Sequence, residues 1–177
     1  FSLTVISCAK KDEEKEKDTA PSYVAVGDSG NILTSSDVTT WISRTSGTTN
    51  RLYGVTYGNG SFVTVGRSGT ILTSSDGITW TSKTSGTTQH LLRVTYANST
   101  FVAVGGSGTI LTSTEGTTWT SRTSGTTNEL HGITYGNNTF VAVGNSGTIL
   151  TSSDNGTSWS SRSYGTSDSL YSLIYIK

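Results

Sequence analysis

Four near-identical stretches, each ending in tryptophan, constrain the fold of this chain more than any other feature. They begin at Tyr23, Phe62, Phe101 and Phe140, at a constant spacing of 39 residues, and the last copy carries one inserted residue before its tryptophan. A repeat of this length is one small structural unit that cannot bury its apolar face alone. The chain must therefore build its core by packing the copies against one another.

Each copy has the pattern of four short strands. In the second copy, the runs 52–57 and 61–66 alternate apolar residues with small or polar ones. Asn59-Gly60 lies between them and predicts a tight hairpin, because both turn residues take positive φ. The runs 70–75 and 78–83 follow as third and fourth strands. This period of two, with glycine throughout the strands, excludes a helical solenoid.

Repetition of four antiparallel strands about every 40 residues predicts an all-β fold, a β-propeller. The first copy begins with its second strand at 23–27, and residues 169–176 align with the first strand of the other copies. We therefore expect residues 22–177 to form four blades of four strands, with the C-terminal strand pairing with 23–27 and closing the ring. An open β-solenoid and a fragment of a larger propeller, which two chains would complete, stay open as alternatives. The closed ring predicts a monomer, and the fragment predicts a dimer.

The first 21 residues differ from the rest in composition. Val5-Ile6-Ser7-Cys8 resembles the lipobox of bacterial lipoproteins, with Val in place of the commoner Leu. The resemblance implies that residues 1–8 are part of a signal peptide, that Cys8 carries a lipid, and that the protein lies in the bacterial cell envelope, at the outer membrane or cell surface. Residues 9–21 are then a flexible charged tether. The alternative is an unmodified cysteine in a truncated apolar leader.

The distribution of charge bears on the partner class. The chain has 12 basic and 12 acidic residues, and nine of these 24 charges lie between Lys10 and Asp18. No basic face remains for phosphate groups, so we expect no nucleic-acid partner. The two histidines, His90 and His131, have no third ligand at an obvious spacing, so we expect no metal and no cofactor.

The turn before each tryptophan resembles the Asp-box of bacterial neuraminidase-type repeats, Ser-X-Asp-X-Gly-X-Thr-Trp. Two copies depart from it, with Val38 in the glycine place and Glu115 in the aspartate place. A carboxylate in such a turn accepts backbone N–H groups and fixes the hairpin, and the tryptophan packs between strands. We expect this structural role, not a shared acid–base site, because repetition places the turns on separate blades. The acidic and aromatic residues of the four turns are Asp37, Trp41, Asp76, Trp80, Glu115, Trp119, Asp154 and Trp159.

Proteins with Asp-box repeats include sialidases, xyloglucan-cleaving glycosidases, sorting receptors and photosystem II assembly factors, so the resemblance allows an enzyme. Glycoside hydrolysis uses two carboxyl groups that flank one bond. Outside the tether and the Asp-box turns, the acidic residues are Asp28, Glu129 and Asp168. The Phe/Tyr-Arg-Ile-Pro motif of sialidases is absent from the sequence. We therefore expect a non-catalytic binding or assembly module and keep a sialidase-like hydrolase as the alternative.

Positions that differ among the otherwise similar copies indicate where a ligand could bind. They lie in the loops between second and third strands and at the opening of each first strand, which should emerge on one face near the axis. Arginines on adjacent blades favour an anionic or carbohydrate ligand, and a protein ligand is also open. A recently amplified repeat with no evolved ligand is a further alternative. The candidate ligand-binding residues are Arg51, Tyr53, Arg67, His90, Arg93, Glu129, His131 and Asn145.

Overall fold

The computed structural model describes residues 20–162 and 164–176. Within them, fifteen short strands form four antiparallel sheets, three of four strands and one of three, numbered here as blades 1 to 4 in chain order. The β-propeller prediction, with one sheet per repeat, is confirmed. The described part contains no helix long and apolar enough to cross a membrane. The predictions for Cys8 and for most of the tether lie outside the described residues.

The strands occur in the same order in every blade. Blade 1 contains β1 (Tyr23–Val26), β2 (Ile32–Ser35) and β3 (Ile42–Arg44). Blade 2 contains β4 (Leu52–Gly58), β5 (Ser61–Gly66), β6 (Ile71–Ser74) and β7 (Thr81–Lys83). Blade 3 contains β8 (Leu91–Ala97), β9 (Thr100–Gly105), β10 (Ile110–Ser113) and β11 (Thr120–Arg122). Blade 4 contains β12 (Leu130–Gly136), β13 (Thr139–Gly144), β14 (Ile149–Ser152) and β15 (Ser160–Arg162).

The hairpin predicted between the first two strands is present. Asn59 and Gly60 have φ of 47° and 72°, the left-handed values that this turn requires. The ladder then pairs Gly58 with Ser61 and Tyr57 with Phe62. Asparagine occupies the first turn position in blades 3 and 4 as well, where it also takes positive φ. The local sequence therefore fixes the register of every β-hairpin of this type.

The core lies between blades and not within them. Three apolar clusters fill the three junctions between consecutive blades. In the junction of blades 2 and 3, Phe101 is fully buried against residues of both sheets, including Val63 and Leu91. Its ring centroid lies 4.5 Å from that of Tyr96 and 6.4 Å from that of Trp119. Each blade is therefore stabilised by its neighbours, as the repeat pattern requires.

The first strands of successive blades pack on one another, β4 against β8 and β8 against β12. Glycine permits the close approach: a Cβ added at Gly58 would overlap the ring of Tyr96. Blade 3 has Ala97 at the same repeat position, so one methyl group is tolerated there. The first strands thus form a continuous inner layer that carries the variable positions at its start.

The predicted closing strand is not found. Residues 170–176 form no strand, and blade 1 keeps three strands with β1 at its edge. Leu170 N instead donates to Gly144 O over 3.0 Å, as Leu52 N donates to Gly27 O, which places the segment beside blade 4 in the position of a next first strand. The segment packs on the glycines of β12: Leu173 lies against Gly132, and the ring of Tyr175 lies against Gly136. Pairing with β1 would be a contact between segments far apart in the sequence, whereas packing on β12 repeats the contact that successive first strands make with each other.

Candidate functional site

The two sets of variable positions lie side by side on one face, which we call the rim. In blade 2 the Arg67 N–H donates to Arg51 O over 2.8 Å. The corresponding contacts are Gly106 N to His90 O at 2.8 Å in blade 3 and Asn145 N to Glu129 O at 2.9 Å in blade 4. Each bond joins the second-to-third-strand turn to the opening of the first strand of the same blade.

One group of rim residues gathers where blades 1, 2 and 3 meet. Arg51 Nε lies 2.7 Å from Asp28 Oδ1, and its Cζ lies 5.3 Å from the ring centroid of Tyr53. The rings of Tyr53 and His90 have centroids 6.2 Å apart. Arg93 Nη1 donates to Tyr53 O over 3.3 Å. Since the Arg51–Asp28 pair is solvent-exposed, it contributes at most about 1 kcal/mol, and a ligand carboxylate can compete with Asp28.

A second group lies on blade 4. Asn145 Oδ1 is 2.7 Å from His131 Nε2 and accepts the Ser169 hydroxyl over 3.0 Å. Because an amide oxygen only accepts, this contact is a hydrogen bond in the tautomer of His131 that carries its proton on Nε2. The ring of Tyr171 has its centroid 5.0 Å from that of His131. Glu129 Oε2 lies 4.0 Å from the same Nε2, so the carboxylate is close to the imidazole without a direct hydrogen bond.

A depression of about 450 Å³ separates these two groups, at the junction of blades 3 and 4. Four variable positions line it, among them Gly106, which has no side chain to fill the space. A Cβ added at Gly106 would lie 3.2 Å from Gln89 Oε1. The lining residues are Thr88, Gln89, His90, Gly106, Ser107, Thr127, Asn128, Glu129, Asn145 and Ser146.

The structure places the sequence candidates unequally. Three of them, His90, Glu129 and Asn145, share the depression. Arg67 is exposed, and its guanidinium makes no hydrogen bond or ion pair with the residues from 20 to 162 or from 164 to 176. Arg51 and Arg93 both contact Tyr53, and an anion site that they share with Arg67 stays a prediction. Asp28 and Gly106 were missed as candidates, although they occupy the same repeat position as Arg67 and Asn145 and were detectable by that comparison.

The Ser-X-Asp turns do not contribute to the rim groups. In blade 2, Asp76 Oδ1 accepts the N–H groups of Ile78 and Thr79 at 2.8 Å and the Ser74 hydroxyl at 2.8 Å. Trp80 Nε1 donates to Gly77 O over 3.1 Å. In blade 3, Glu115 accepts threonine hydroxyls instead. The described residues contain no cluster of three or more His, Cys, Asp or Glu able to hold a metal ion.

Hydrogen bonding makes these carboxylates strongly acidic. The backbone N–H of Thr79, followed by that of Ile78, lowers the pKa of Asp76 to about 2. The Ser158 hydroxyl and N–H lower the pKa of Asp154 to about 2. Backbone N–H donation by Thr40 holds the pKa of Asp37 far below its usual range, and the hydroxyls of Thr117 and Thr118 lower the pKa of Glu115. The turns need the acidic side chain in its ionised form, because only the carboxylate accepts hydrogen bonds from all these donors.

A pH titration of stability should show this dependence. A carboxyl whose pKa is lower in the folded state stabilises the fold above its unfolded pKa, 3.8 for Asp76, and loses that contribution as pH falls towards about 2. We therefore expect the melting temperature to be level from pH 7 to about 5 and to fall below about pH 4. Asp76→Asn should flatten part of this fall, and an equally steep fall in that variant would contradict the assignment. Differential scanning calorimetry measures both.

Comparisons with known proteins support the fold and do not identify a family. No protein-family model and no curated protein matches the sequence. Among solved structures, YCF48 bound to D1 peptide is similar, with a TM-score of 0.63 at 18% identity over 85% of this chain and 53% of that one. YCF48 from Cyanidioschyzon merolae is similar too, with a TM-score of 0.63 at 20% identity over 86% of this chain and 56% of that one. The chain spans a little over half the length of these propellers, and the likeness supports its β-propeller fold.

Proposed function

We propose that this chain is a non-catalytic β-propeller module that binds a segment of a partner protein in the rim depression between blades 3 and 4. We further propose that a lipid on Cys8 anchors it in the bacterial cell envelope. The observation that carries the binding proposal is that four positions differing among the copies line one cavity, namely His90, Gly106, Glu129 and Asn145. Variable residues gathered in a concave surface, on a scaffold that is the same in every copy, are the arrangement expected of a recognition site.

The chemistry of the depression favours a peptide. A volume of about 450 Å³ is within the range of ligand sites and accommodates one or two side chains. Its amide, hydroxyl and imidazole groups can pair with a peptide backbone, and Glu129 can pair with a basic side chain. Glu129 is also the single carboxylate among the described lining residues, whereas glycoside hydrolysis uses two. That YCF48 has been observed with a bound D1 peptide supports peptide recognition by a propeller of this type.

The repeat itself supplies a matched pair of variants for the test. Gly106→Arg fills the depression, and the backbone should accept arginine because blade 2 carries Arg67 at the same repeat position. Arg67→Gly is the reciprocal change outside the depression. Partners are captured from a cell-envelope extract with the purified chain and quantified by mass spectrometry.

We expect an envelope protein to be retained by the parent and by Arg67→Gly, and its recovery to fall at least tenfold with Gly106→Arg. Circular dichroism melting should be the same for all three chains. Equal recovery on the three chains, or loss with Arg67→Gly alone, would contradict binding in this depression.

A further inference from the structure

One repeat position changes its exposure in blade 4. It lies in the loop that follows the fourth strand and is serine in the first three copies, at Ser46, Ser85 and Ser124. These serines are 7–9% exposed. Tyr164 takes the place in the fourth copy and is 77% exposed. The same backbone position thus holds a buried hydroxyl three times and a solvent-facing aromatic ring once.

The serine stabilises its loop, so its replacement has a structural cost. Ser85 Oγ donates to Thr87 O over 3.1 Å and accepts the Thr87 N–H over 3.3 Å. In blade 4 the loop is held differently, by the Gly147 N–H that donates to Asp168 O over 2.7 Å. A departure from a locally favoured residue, without a visible structural gain, is the pattern expected at functional positions.

Tyr164 lines a groove of about 330 Å³ between the loops of blades 3 and 4. Arg162 lines it too, and its Nε donates to Thr151 Oγ1 over 3.0 Å, which orients the guanidinium. Hydroxyl and amide groups surround them, including those of Thr126 and Asn128. The equivalent grooves beside blades 2 and 3 carry Lys83 and Arg122 but no aromatic residue. Among these three grooves, the pairing of a ring with a cation is therefore specific to the one beside blade 4.

We propose that this groove binds an acidic sugar, a pyranose ring that bears a carboxylate. The exposed face of Tyr164 offers a flat apolar surface for the C–H groups of the sugar. The guanidinium of Arg162 presents parallel N–H donors that match a carboxylate, and it is the one charged group among the described lining residues. Asn128 and the hydroxyls supply partners for sugar hydroxyls. The groove adjoins the depression at Asn128 but does not depend on peptide binding there.

The experiment uses the full chain with tetragalacturonate as probe and cellotetraose as the neutral control, measured by isothermal titration calorimetry. We expect tetragalacturonate to bind and cellotetraose to bind at least tenfold more weakly. Tyr164→Ser should weaken tetragalacturonate binding about tenfold, the loss expected for one stacking contact. Tyr164→Phe keeps the ring and should bind like the parent. Arg162→Gln should abolish the preference for the acidic oligosaccharide.

Folding is controlled within the same series. Because Tyr164→Ser restores the serine of the other copies, its melting temperature should equal or exceed that of the parent. Lost binding in a chain of undiminished stability therefore reports the site itself. No binding of tetragalacturonate by the parent, equal binding of the two oligosaccharides, or full binding by Tyr164→Ser would each overturn the proposal.

Discussion

Phe101→Ala is expected to lower the free energy of unfolding by about 3–5 kcal/mol, the range for removing a fully buried aromatic side chain. Phe101 is 0% exposed and packs between blades 2 and 3, so its loss leaves a cavity that neither sheet can close. For a domain of this size the melting temperature should fall by about 10 °C. Chemical denaturation followed by tryptophan fluorescence measures the change.

The chain contains its own control for this change. Tyr23 occupies the same repeat position in blade 1 and is 49% exposed, because no earlier blade covers it among the described residues. Tyr23→Ala should therefore cost about 1 kcal/mol or less. Equal losses in the two variants would show that the position matters for the strand itself and not for the junction between blades.

Gly69→Ala is expected to lower the free energy of unfolding by about 3 kcal/mol or more. Gly69 has φ of +71°, and a Cβ there would overlap the carbonyl oxygen of Thr87 and lie 2.7 Å from Ser85 Oγ. The overlap is with backbone, so relief requires the loop after the fourth strand to move. Thermal unfolding by circular dichroism measures the loss.

Gly86→Ala separates the two causes of that loss. Gly86 has φ of +75°, nearly that of Gly69, but an added Cβ there meets no atom within 4 Å. It should cost only the left-handed conformation, about 1–2 kcal/mol. If Gly69→Ala were no more costly than Gly86→Ala, the close packing of Gly69 on Thr87 would not contribute to the stability of the fold.

Much of the fold could be predicted because its determinants are local. Asn59-Gly60 specifies a turn with two positive φ values, and the alternation on either side of it specifies which faces are apolar. The repetition then requires sheets packed in series. Ring closure could not be predicted in this way, because pairing of residues 170–176 with β1 is a contact between segments far apart in the sequence, and the structure places the segment beside β12.

The candidate site was predictable only in part. Comparison of the copies indicated His90, Glu129 and Asn145, which line one depression. It also grouped Arg67 with Arg51 and Arg93, although only the latter two contact Tyr53. Side-chain contacts decide which variable residues lie together, and a comparison of the repeat sequences does not show those contacts. Tyr164 was missed because one substitution in one copy cannot be told from neutral sequence change until the exposure of the side chain is known.

By itself, the sequence determined the order of strands and the hairpin turns, which depend on residues a few positions apart, and the number of sheets, which follows from the number of copies. The tertiary structure decided how equivalent residues differ. Trp80 is 9% exposed and Trp41 is 42% exposed, although both follow the same turn. Trp80 packs in the junction with blade 1, and no described blade precedes blade 1 to cover Trp41. The burial of a side chain depends on the neighbouring blades, so the same residue in two near-identical repeats can be buried in one and exposed in the other.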